Sequence, residues 1–161
     1  MQAAAVAQAS GVEEGPAVPQ GTAFVLDAQD ARLLTEIGML AAEAGDVARA
    51  DAIFGALRRV RPDRAYPYVG LVLARLAAGR TGEAVRLLED AQVGDPQEHA
   101  VLHAWRGMAL QLVGRSAESR KVLTEAAAMP GEGARMARRL LGLEEEEARM
   151  PARLETIAIN Q

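Results

Sequence analysis

The sequence predicts an all-α chain: an α-α superhelix of three helical hairpins closed by a C-terminal capping helix. Three observations carry this. Pro62, Pro96 and Pro130 recur at a 34-residue step, as do Gly45 and Gly79. A fixed period near that length marks stacked helical hairpins, each too small to bury its own apolar face. Ala and Leu dominate a composition that is 50% apolar but only 3% aromatic, which suits close helix packing better than β-sheet.

Each element follows in order. Residues 1–22 mix Ala, Gly, Pro and Gln without helical or strand periodicity and read as a flexible N-terminal arm. Asp27 can cap the first helix, with Asp30 near the positive end of its dipole. That helix carries Leu33, Leu34, Ile37, Met39 and Leu40 and ends at Gly45. Asp46 caps the second, where Val47, Ala50, Ile53, Phe54, Leu57 and Val60 fall at helical steps and Arg49, Asp51, Arg58 and Arg59 take the other side.

The unit then repeats. Residues 65–78 form a helix with Pro67 in its first turn, where the missing N–H costs nothing. Residues 79–82 form a turn, and residues 83–91 a helix with Ala84, Leu87, Leu88 and Ala91 inward. The third unit spans 97–113, a turn at Gly114 and Arg115, and 116–129. Residues 132–149 form a seventh, capping helix with Ala134, Ala137, Leu140 and Leu141 on one face, ended by Pro151. The solenoid domain thus spans 23–150, with a C-terminal tail over 151–161.

Composition bounds the function. A net charge of −4 with interspersed signs and no basic block argues against nucleic acid or anionic membrane as partner. The chain has no cysteine, which removes disulfides and thiolate metal sites and fits a reducing cytoplasm. Residues 1–31 have no Lys or Arg and no apolar core suited to a signal peptide. No stretch approaches the ~18 apolar residues of a membrane span. The expectation is a soluble, cytoplasmic protein.

The repeated residues resemble the tetratricopeptide repeat. In the first unit they are Leu34, Ile37, Gly38, Ala41, Ala50, Phe54 and Pro62; in the second, Tyr68, Leu71, Val72, Arg75, Ala84, Leu88 and Pro96. In the third, Gly107, Gly114, Leu123 and Ala126 match with one extra residue after Pro96. Arg106 then stands where an apolar residue is expected, so the register of that helix stays open by one. Gly38, Ala50, Ala84 and Gly107 are the small residues that let backbones approach, and Gly45, Gly79 and Gly114 supply the turns. With its flexible start and capping helix, the chain is also similar to the small accessory chaperones of bacterial type III secretion systems. The segments 36–63 and 70–96 carry that likeness. It implies a virulence-associated chaperone of the needle, translocator or Hrp-type accessory class.

In such an architecture the first helix of each unit lines the concave surface. From Tyr66 to Ala78 only Arg75 is charged, and a helix apolar almost all round is either core or an open face for a partner. The candidate groove is Met39 and Ala42, then Tyr66, Val69, Leu73 and Leu76, then Val101, Ala104, Met108 and Gln111. These residues either fill the core or form a trough for an apolar helix or extended segment of another protein, with Met39 and Met108 as adaptable contacts. Groove positions Thr35, Met39, Gly70 and Val101 cannot clamp a carboxylate, which excludes the chaperone-tail binders that grip acidic C-termini.

Catalytic signals are weak, and no enzyme and no cofactor are expected. His99 and His103 are four residues apart on a helix, a spacing that could share a metal, but Glu98 is the only nearby acid. A solvated polar stripe is the better reading, and no metal site is expected. Asp51, Glu83 and Glu118 read as solvation on outer faces, as does the acidic run 144–147. The expected function is a cytoplasmic chaperone that shields an apolar segment of a secretion substrate or export component. The alternative is a protein-interaction scaffold of another bacterial assembly. Pairing with itself or with a second chain is left open.

Overall fold

The computed structural model describes residues 26–143, which form seven helices and no strand. They are α1 (Ala28–Glu43), α2 (Val47–Val60), α3 (Tyr66–Ala77), α4 (Thr81–Glu89), α5 (Pro96–Leu112), α6 (Ser116–Ala127) and α7 (Glu132–Leu140). Each packs on its neighbours in sequence, and α1 lies along α3 as α5 lies along α7, so the odd-numbered helices form one row of an α-α superhelix. The expected N-terminal arm and C-terminal tail lie outside the described residues.

Local chemistry sets the helix ends. Asp27, Asp46 and Asp95 accept backbone N–H bonds from Asp30 (2.8 Å), Arg49 (3.0 Å) and Gln97 (2.7 Å), satisfying amides that a first turn leaves open. The three hairpins reverse direction in one way. Gly45, Gly79 and Gly114 have φ of 69°, 73° and 80°, in the left-handed region open to glycine. The following amides of Asp46, Arg80 and Arg115 then donate back to Ala41, Arg75 and Leu110 at 2.9, 2.7 and 2.9 Å.

Two elements differ from expectation. The fourth helix begins two residues early, at Thr81, because the reversal at Gly79 is complete by Arg80. It also stops at Glu89, leaving Ala91 outside it. The seventh helix stops at Leu140, where Gly142 takes φ 75° and its amide bonds to Arg139; residues beyond 143 are outside the described range.

The core is three stacked clusters. Phe54, Leu57, Leu71 and Ala74 anchor the first; Tyr68, Val72, Leu88, Leu102 and Leu110 the second; Ala104, Leu123, Ala126 and Ala137 the third. Glycines let the helices meet. A side chain on Gly38 or Gly70 would overlap the Phe54 ring, one on Gly107 would overlap Leu123, and one on Gly133 would run into the α5 backbone at Ala100. Gly107 and Leu123 therefore repeat the crossing of Gly38 and Phe54 with the same 16-residue separation. This fixes the third unit's register with the extra residue after Pro96.

Candidate functional site

The row of odd-numbered helices is interrupted. α3 and α5 touch at only a few positions, whereas α5 and α7 are in close contact. The connection between α4 and α5 has six residues, one more than that between α2 and α3. A cleft of about 700 Å³ opens between α3, α5 and α7, with a floor of Tyr66, Val69, Val101, Trp105 and Met136. Arg64, Gln97, Glu98, Glu132, Arg135 and Arg139 surround the floor.

One side chain lining the cleft bridges two of its helices. Helix α3 has no side-chain cap of its own. Glu98, from the first turn of α5, supplies one in trans: its Oε2 accepts the Ala65 amide at 2.7 Å, and its Oε1 pairs with Arg64 Nε at 3.0 Å. The carboxylate thus satisfies an amide at the positive end of α3's dipole and ties together the two helices that otherwise diverge.

The sequence-predicted groove is brought together only in part. Tyr66, Val69 and Val101 line the cleft. Ala42 and Ala104 have no exposed surface and are core, not groove, because close helix packing buries small side chains first. Met39 and Leu73 pack against the first core cluster and Leu76 against the second, each half-buried. Met108 is half-buried and Gln111 exposed, and neither reaches the cleft. A continuous trough requires evenly stacked inner helices, and the divergence of α3 from α5 breaks it. Trp105, Met136, Glu98 and the α7 arginines were missed. The signal for Trp105 was its singularity, since it is the chain's one tryptophan.

The polar residues weighed as candidate chemistry have other surroundings. The rings of His99 and His103 meet edge to face, 4.2 Å between centroids. Burial chiefly, then the neighbouring His99 and Arg106, lowers the pKa of His103 below the usual imidazole value; Glu125 opposes this. The Nδ1 of His103 and the Nε of Arg106 are buried without a hydrogen-bond partner. Among the described residues, no three His, Cys, Asp or Glu side chains converge as metal ligands. Asp51 is not a mere solvated charge: both its oxygens accept from Arg75, at 2.9 and 3.2 Å, in a bidentate pair joining α2 to α3. Glu83 stands 3.9 Å from the same guanidinium.

No protein-family model matches this chain, and comparison with curated proteins and with solved structures finds no significant match. No helix among the described residues is long and apolar enough to cross a membrane.

Proposed function

We propose that this chain is a protein-binding chaperone that holds an apolar segment of another protein in the cleft between α3, α5 and α7. The observation that carries the reading is the floor of Tyr66, Val69, Val101, Trp105 and Met136 within a ring of charged side chains. An apolar floor with polar groups beside it is what recognition of an amphipathic segment uses. Arg135 of α7 stands exposed beside the floor, so a segment with an acidic residue beside its apolar face fits best.

The resemblance of the repeats to tetratricopeptide units, and of the whole to type III secretion accessory chaperones, supplies the cellular setting: a cytoplasmic protein that shields a secretion substrate or export component before assembly. A scaffold of another assembly would use the same cleft.

Trp105 makes the reading testable, since the chain's one tryptophan lies in the site. A photoreactive amino acid at Tyr66 identifies the bound protein, and titration of its recombinant segment is read by Trp105 fluorescence. Val101→Asp should raise the dissociation constant about a hundredfold, by placing a charge against the segment's apolar face. Unchanged affinity in a folded Val101→Asp variant would remove the cleft from the function. The identity of the captured protein separates secretion chaperone from scaffold.

A further inference from the structure

The first hairpin carries a stacking face on which none of the described residues stacks. Leu33, Ile37 and Leu40 lie at i, i+4 and i+7 on α1, one stripe of the helix. They are 55%, 42% and 67% exposed, large apolar side chains in water. The 34-residue step carries them onto Pro67, Leu71 and Ala74 of α3. There Pro67 and Ala74 are fully buried and Leu71 is 3% exposed, because the first hairpin packs on them. The stripe is therefore the counterpart of the surface by which the second unit receives the first. The repeat pattern does not continue upstream: the same step back from Ala50 leads to Pro16, a residue that a helix interior does not accept.

We infer that this face receives a second copy of the chain, with α1 packed antiparallel on its symmetry mate. The stripe is self-complementary in that orientation. A twofold axis close to Ile37 sets Ile37 beside its own copy and brings Leu33 within about one residue's rise of Leu40 of the other chain, an isologous contact. The same axis brings Arg32 beside Glu43 of the other copy at both ends of the contact. In a parallel pairing the two copies of the flank that carries Arg32 and Glu43 would lie on opposite sides of the contact, so these residues would not meet, and the two helix dipoles would align. Arg32 now bonds Glu36 on its own helix at 3.0 Å with both side chains well exposed, a contact weak enough to exchange. One helix per copy makes a small interface, so the dimer is reversible and concentration-dependent.

The test uses the full-length chain in sedimentation equilibrium across the micromolar range. A monomer–dimer equilibrium is expected. Leu40→Glu should raise its dissociation constant about a hundredfold without lowering the melting temperature, since the site is exposed. Arg32→Glu should weaken the dimer several-fold, and Arg32→Glu with Glu43→Arg should restore it. The absence of native cysteine lets orientation be read directly. Under oxidation, Ile37→Cys chains should cross-link to each other, and Leu33→Cys chains to Leu40→Cys chains but not to themselves, with exposed Thr124→Cys as the negative control. Self-linking of Leu33→Cys would overturn the antiparallel arrangement. A chain that stays monomeric throughout would overturn the proposal. Slow thiol labelling of a monomeric Ile37→Cys variant would then show that the chain's own terminal residues cover the stripe; fast labelling would show it open.

Discussion

The ring of Phe54 occupies the space where Gly70 would carry a side chain. Phe54 belongs to α2 and Gly70 to α3, so this contact sets how closely the second hairpin approaches the first. Gly70→Ala gains up to ~1 kcal/mol of helix propensity but overpacks a fully buried ring, which costs ~1–3 kcal/mol. The expected result is a net loss of about 1–2 kcal/mol and a melting temperature lower by several degrees. Gly55→Ala is the converse. A Cβ there meets nothing within 4 Å, so the propensity gain stands alone, and that variant should be more stable by about 0.5–1 kcal/mol. Urea unfolding of the two variants checks both signs.

Glu98 should matter more than an acid on a helix normally does. Glu98→Ala leaves the Ala65 amide, in a buried residue, without its 2.7 Å partner and should cost about 1–2 kcal/mol. Glu98→Gln retains an acceptor oxygen and should lose about half as much. Amide exchange localises the effect: in Glu98→Ala, protection should fall first over Ala65–Val69, where α3 loses its only tie of this kind to α5. Uniform loss across all hairpins would instead mark Glu98 as an ordinary stability residue.

These two cases show what the sequence made legible. Helix order, the three glycine reversals and the aspartate caps followed from local patterns, each governed by residues within one turn. Gly38 and Gly107 were read as close-approach residues because they fall at the repeat's small position. Gly70 and Gly133 were not, because their need for space arises between units, against Phe54 and the Ala100 backbone. The candidate groove was legible only at Tyr66, Val69 and Val101. Its even spacing assumed regular stacking, whereas α3 and α5 touch at only a few positions. Glu98 acts across 33 residues, beyond any periodicity argument.

Arg106 stands where the other units carry the apolar Ile37 and Leu71. Its Nε is buried without a partner and its Nη2 lies 3.7 Å from Glu89, which Arg115 also engages at 3.3 Å. Arg106→Leu removes an unsatisfied buried donor and leaves Glu89 with a cation. The variant should be more stable by about 1 kcal/mol, measured as a shift in the urea midpoint at unchanged slope.

His103 makes stability depend on pH. Its folded-state pKa lies below that of the unfolded chain, so over the window beneath the usual imidazole value the unfolded chain binds more protons. Stability should therefore fall as pH is lowered from neutrality through the unfolded-state pKa, levelling once the folded form also protonates. His103→Gln cannot take up the proton, and its melting temperature should vary less between about pH 7.5 and pH 5.5, roughly one unit either side of the reference value. An equal acid response in both proteins would assign the effect to carboxylates instead.

The reversals at Gly79 and Gly114 are held by backbone conformation and two local amide bonds each, and a Cβ at either glycine meets nothing within 4 Å. A gene segment one repeat long, duplicated in frame at such a point, would arrive with its own change of direction and leave the older reversals as they were. The chain's length is thus free to vary by whole hairpins over evolutionary time, and the same points are where an experimenter can splice in a reporter or a foreign peptide.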